Sequence, residues 1–293
     1  MNDLWSAIFD FSDYGELISL LRNSIFAGAV LGIAGGLIGV FVMQRDMAFA
    51  VHGISELSFA GASAGLLLGL GVVQGAIVGS LVAAALIGLL GTRARDRNSI
   101  IAVLMPFGLG IGILCLALFP GRSANKFGLL TGQIVAVDDP RLNSLLIICA
   151  IVVVGLAVVW RPLVFASLDA DVAIARGVPA RWLSLAFMIL LGLTIAVSVQ
   201  IVGALLVLSI LVTPAAAALR LTASPVWVPV LSVVFATVSL VGGILLALGA
   251  SVPISPYVTT ISFLIYLVAR VISWQRHRTR RGRIASMTEV VTA

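Results

Sequence analysis

The chain has 293 residues, of which 61% are hydrophobic and only 10% charged, and its mean hydropathy is +1.19. About a quarter of the residues of a soluble domain are charged, so the composition excludes a water-soluble globular domain and implies a polytopic membrane protein. The net charge of +6, from 18 basic and 12 acidic residues, does not point to nucleic acid, because no basic patch is interleaved with aromatic residues.

The chain opens on an acidic segment, residues 1–21, with Asp3, Asp10, Asp13 and Glu16. It lacks the basic start of a cleavable signal peptide. About twenty apolar residues cross a bilayer as a helix. Nine spans are predicted, at 24–43, 47–70, 73–92, 99–119, 143–160, 182–200, 201–219, 226–249 and 257–274. The fold class is all-α, a transmembrane helix bundle over 22–274 with a basic tail at 275–293. The second span is read as one helix or as two meeting at Ala60–Gly65.

The arginines orient the bundle. Of the 18 basic residues, 14 fall in alternate loops and the C-terminal tail; Arg22, Arg122, Lys126 and Arg141 fall on the other side. Basic residues stay in the cytoplasm. The N-terminus is therefore expected outside and the C-terminus inside. Glycines recur at four-residue spacing (Gly28/Gly32/Gly36, Gly61/Gly65/Gly69, Gly71/Gly75/Gly79, Gly108/Gly112), which predicts close helix packing. Cys115 and Cys149 lie in apolar runs without metal-binding spacing, and read as small core residues.

The second span contains MAFAVHGISELSF, with His52 and Glu56 four positions apart. A helix places them on one face. Glu56 is the one carboxylate well inside a span, and His52 the one intramembrane histidine. Ionisable side chains are costly in hydrocarbon and mark transport pathways. Imidazole and carboxylate together suit a divalent metal, zinc or manganese. Zinc takes four ligands, and a twofold homodimer with this face on its axis supplies two His and two Glu. A hydrogen-bonded packing pair and a proton relay through His52 are the competing readings.

The outside loop 120–142 suits a re-entrant or surface helix, a lid or a plain connector. The inner loop 161–181 contains LDADVAIARGVPA. Asp169 is placed to cap a short helix and Gly177 and Pro179 to end it. In the seventh span Pro214 removes a backbone hydrogen bond, giving a packing kink or a gating hinge. The chain has no HExxH, CxxC or Walker motif, and its only lysine, Lys126, precedes phenylalanine. An enzyme is not expected, and ATP hydrolysis is not expected on this chain.

Three segments, RDMAFAVHGISELSFAGA, LDADVAIARGVPA and IVGALLVLSILVTPAAAA, resemble in order the integral-membrane permease of bacterial ABC importers for zinc, manganese or iron. The resemblance implies a multi-pass bacterial inner-membrane protein that forms a homodimer. It also implies a cytoplasmic ATPase dimer that binds ATP and an extracytoplasmic metal-binding protein that delivers the ion. It assigns Asp169, Asp171, Ala173 and Gly177 to coupling with the ATPase. The family's intramembrane Asp falls on His52 and its His on Glu56, so this chain keeps one imidazole and one carboxylate in reversed order. Zinc is favoured over manganese. A stand-alone secondary or proton-coupled carrier is the alternative.

Overall fold

In hydrocarbon a backbone must satisfy its own hydrogen bonds, and a helix does so within one segment. The structure, a computed structural model, describes residues 18, 21–91, 94–120, 137–248 and 254–292. Helices α1 (Arg22–Gln44), α2 (Ala48–Leu67), α3 (Val72–Leu90) and α4 (Ala94–Leu118) are followed by α5 (Asp139–Leu168) and the short α6 (Ala170–Ala175). Then come α7 (Ala180–Val202), a 3-10 turn (Ala204–Leu206), α8 (Val207–Leu211), α9 (Thr213–Leu221), α10 (Trp227–Leu248) and α11 (Ile254–Thr292). All of these elements are helical, as the sequence predicts.

Seven helices (α1, α3, α4, α5, α7, α10 and α11) are long and apolar enough to cross a membrane. Helix α2 is 20 residues long and less apolar, because it carries His52, Glu56 and several serines. It is also largely buried, which is what lets it keep them. With α2 and the broken segment 204–221, the elements correspond one for one to the nine predicted spans. The predicted 47–70 span is one helix, continuous through Ala60–Gly65.

Helix α2 packs between α3 and α4 and also meets α7, the 3-10 turn and α8. Glycines set these approaches. A Cβ on Gly61 would collide with the Gly75 carbonyl oxygen, and one on Gly75 with that of Gly61. Ser58 donates across the same crossing to the Ala76 carbonyl at 3.1 Å. Gly36 and Gly32 of α1 lie against Val233 and Thr237 of α10, where the Ser232 hydroxyl donates to the Gly36 carbonyl at 2.7 Å. The close packing read from the glycine spacing is present, except at Gly69 and Gly71, which have positive φ and form the α2–α3 turn.

Three boundaries differ from the sequence reading. The 201–219 span is not one kinked helix. Gly203, at φ 84°, ends α7, and a 3-10 turn and two short helices follow. Pro214 lies in the first turn of α9, where its missing N–H interrupts nothing, so it starts a helix rather than bending one. Helix α5 runs through Pro162 to Leu168, so residues 161–168 of the predicted inner loop are helical. Helix α11 continues through the basic tail to Thr292.

Contacts between distant helices sort residues to two ends. At one, the Asn23 amide donates to the Asp139 carboxylate at 2.7 Å. At the other, Phe41 meets Trp160 edge-on at 4.9 Å, and Arg45 donates to Ser184 at 3.2 Å. The sidedness follows the arginine alternation. Residues 1–17, 19–20 and 121–136, which hold the acidic N-terminal segment and most of the outside loop, lie outside the described residues.

Candidate functional site

Helix α2 brings the sequence-predicted pair together. His52 Nε2 and Glu56 Oε1 are 3.7 Å apart, with side-chain exposures of 26% and 3%. The separation is too long for a hydrogen bond. His52 Nδ1 and Glu56 Oε2 are both buried and have no hydrogen-bond partner. The pair therefore does not satisfy itself, and each residue keeps a lone pair free for a third body. The nearby Ser55 hydroxyl is already committed, donating to the His52 carbonyl at 2.8 Å.

Ser63 belongs to the same stripe. It lies seven positions beyond Glu56, two helical turns along one face. It is fully buried, and its hydroxyl has no partner. Most intramembrane hydroxyls here donate back to a carbonyl three or four residues earlier, as Ser198 and Thr194 do. Sequence reading missed Ser63, although its spacing from Glu56 was a visible signal. Three unpartnered polar atoms thus line one face of a helix otherwise sealed by glycine contacts. The seal is tight at Glu56 itself, where a Cβ on Gly108 of α4 would meet the Glu56 backbone at 3.0 Å.

Among the described residues no group of three His, Cys, Asp or Glu side chains comes together. One copy of the chain therefore offers two strong metal ligands. A partly exposed imidazole beside a buried carboxylate, each with a free lone pair, fits a divalent cation that completes its shell from elsewhere.

The second set of residues forms a separate unit. The Val172 N–H donates to the Asp169 carboxylate at 3.0 Å, capping α6. Ala173 is buried. The Val178 N–H donates to the Ala173 carbonyl at 3.0 Å, and Gly177 at φ 81° ends the helix, a Schellman closure. Asp171 lies within α6, and its side chain is outside the described residues. Helix α6 packs on α5 and α7, and α7 in turn packs on α2. One rigid element therefore touches both the capped helix and the His52/Glu56 helix. Pro214 is brought to neither set; α8, just before it, packs against α2.

Residues 17–273 match the family described as the ABC 3 transport family. The manganese transport system membrane protein MntC of Halalkalibacterium halodurans is 29% identical over 227 residues, 77% of this chain and 78% of that protein. The high-affinity zinc uptake system membrane protein ZnuB of Haemophilus influenzae is 24% identical over 254 residues, 86% and 97% of the two chains. Among solved structures, PsaBC from Streptococcus pneumoniae in complex with Fab superposes with a TM-score of 0.79 at 25% identity, covering 88% of this chain and 95% of that one.

Proposed function

The chain belongs to the ABC 3 transport family, and on that premise we propose that it is the membrane-spanning subunit of an ATP-driven importer of a divalent transition metal, with zinc favoured and manganese next. The observation that carries this reading is the buried Glu56 carboxylate beside His52, with unpartnered Oε2 and Nδ1 atoms. Burying a carboxylate without a partner is costly, and a passing cation offsets that cost while it is bound.

The metal is cargo. It enters from the extracytoplasmic side, handed over by a separate metal-binding protein, and descends the Ser63 side of α2 to His52 and Glu56. Two copies of the chain, with these faces opposed, complete a four-ligand shell of two imidazoles and two carboxylates, which suits zinc. Manganese prefers six harder ligands and would need added oxygens from water. The relatives named above include both a manganese and a zinc transport protein, so the family alone does not choose between them.

ATP is hydrolysed on a separate cytoplasmic subunit. Helix α6, capped by Asp169 and closed at Gly177, is the surface that subunit pushes. Helix α7 carries the displacement to α2, and the broken segment 204–221 beside α2 gives way at Gly203. A carrier acting alone is the competing account; family membership and the ordered three-segment match favour the ATP-driven one. The test is uptake of zinc and of manganese by cells expressing the chain with its ATPase and binding protein. Glu56→Ala should remove uptake at unchanged protein level. Uptake that persists, or that proceeds in vesicles without ATP, would defeat the proposal.

A further inference from the structure

Seven buried side-chain polar atoms have no hydrogen-bond partner among the described residues. Three are the α2 stripe, and one is Thr237 Oγ1. The other three, Gln44 Oε1, Arg45 Nη1 and Arg97 Nε, belong to a different place, the α1–α2 turn where it meets the start of α4.

This corner is built from three elements. Arg45 follows α1 and reaches across to α7, where its Nη2 donates to the Ser184 hydroxyl at 3.2 Å. Its guanidinium lies 5.4 Å from the centroid of the buried Phe187 ring. Arg97, in the first turn of α4, donates from Nη2 to the Asp46 carbonyl at 3.4 Å. Gly91 packs against the Arg97 backbone, 3.0 Å from its Cα by the position of a notional Cβ. Asp46 adopts φ 52°, the only positive-φ non-glycine residue described, and that turn presents its carbonyl to Arg97.

Two guanidinium groups are therefore held close together with no carboxylate to balance them. Among the described residues neither forms an ion pair; the one pair found is His52 with Glu56. The neighbouring Asp46 and Asp96 are exposed. Burial, and then the charge of Arg97, pull Arg45 below its ordinary value. The contacts the arginines do make are to neutral oxygens at 3.2 and 3.4 Å, long beside the ~2.7–2.9 Å of charge-assisted bonds. A buried donor left unpaired is costly, and paired like charges ask for an anion.

We propose that this corner binds a phosphate group, and that its source is the headgroup of an anionic phospholipid. Arginine forks match phosphate oxygens. Gln44 Oε1, an unpartnered acceptor on the residue before Arg45, suits a headgroup hydroxyl such as that of glycerol. The place favours lipid over a soluble anion. Phe49 and Trp182, near Arg45 and Ser184 in sequence, are exposed, and such aromatics settle at the membrane interface. The arginine alternation places this end in the cytoplasmic leaflet, where anionic lipid attracts basic residues. The proposal does not depend on which ion, if any, meets His52.

The test uses the purified transporter in nanodiscs of phosphatidylcholine with and without phosphatidylglycerol, reading thermal stability and lipid retained in native mass spectrometry. Phosphatidylglycerol should stabilise the wild type and be retained. Arg97→Gln and Arg45→Gln should each weaken that response about tenfold in apparent affinity, the loss of one charge-assisted hydrogen bond. Arg141→Gln, at the opposite end, should not. Because Arg45 packs on Phe187, its replacement risks a general loss of stability; the half-buried Arg97 keeps the test decisive. An equal phosphatidylglycerol response in wild type and Arg97→Gln would overturn the site. Inorganic phosphate giving the whole gain in phosphatidylcholine discs would overturn the lipid source. Release of the ATPase subunit by Arg97→Gln, with the lipid response intact, would show that the pair serves a protein carboxylate instead.

Discussion

His52 Nε2 stands 3.7 Å from Glu56 Oε1, one helical turn apart, and the acid is the deeper of the two. The pair is near enough to share a cation and too far apart to satisfy itself. That relationship yields the first prediction. Glu56→Gln keeps the shape and removes the charge. Because Oε2 of the buried carboxylate has no partner, the variant should melt no lower than wild type, while metal uptake falls at least about tenfold, the scale of one lost ligand interaction of ~1.4 kcal/mol. Thermal melting and uptake on the same preparation check this, and a joint loss would mean that Glu56 is there for packing.

The order of the pair should matter less than its content. The double variant His52→Asp with Glu56→His restores the arrangement of the resembling family and keeps one imidazole and one carboxylate. It should import metal within about threefold of wild type, since a shift of well under 1.4 kcal/mol is expected. Each single variant of the two should be impaired. Uptake assays on the three variants decide it.

Two glycines of α4, two residues apart, should behave differently. A Cβ at Gly108 would meet Leu57 at 2.7 Å and the Glu56 backbone at 3.0 Å, whereas one at Gly110 meets nothing within 4 Å. Gly108→Ala should cost about 1–3 kcal/mol from overpacking and shift the His52/Glu56 pair. Gly110→Ala should leave stability and uptake unchanged. Denaturation in detergent and uptake in cells separate the two.

How much of this was legible beforehand depends on which signal each feature uses. Apolar length revealed α1, α3, α4, α7 and α10, because hydrocarbon thickness fixes helix length. Helix α2 was found the same way, as the 47–70 span, and its ionisable pair marked it as the site. The segment after Val202 was misread because an apolar run looks the same whether its backbone is one helix or three pieces. Gly203 and Pro214 were visible but could not show where the axis breaks. The span predicted to end at 160 continues through Pro162 within α5. The basic tail has no apolar stripe to mark it as helix. Arg45 and Arg97 were sorted as loop charges; their burial arises from α7 and α4, distant in sequence.

The capped helix α6 supplies a prediction about coupling. Asp169→Ala removes the bond to the Val172 N–H and should cost the cap about 1 kcal/mol; Asp169→Asn should retain most of it. Gly177→Ala places a side chain at φ 81°, at about 1–2 kcal/mol. Helix α6 is short and touches only α5 and α7 among the stronger helix contacts, so the bundle should stay folded. Copurification of the ATPase should fall in Asp169→Ala and Gly177→Ala and hold in Asp169→Asn.

Pro214→Ala restores an N–H at the start of α9. It should let α8 and α9 merge, slowing transport while leaving melting unchanged or raised. A transport rate equal to wild type would mean that the break serves packing alone.

The central claim is that a divalent metal pauses at His52 and Glu56. Metal content of the purified transporter, titrated with zinc and with manganese and compared with the His52→Ala/Glu56→Ala double variant, tests it most directly. The account predicts zinc retained by wild type and lost from the folded double variant. Equal zinc retention by both, with the variant folded, would contradict it.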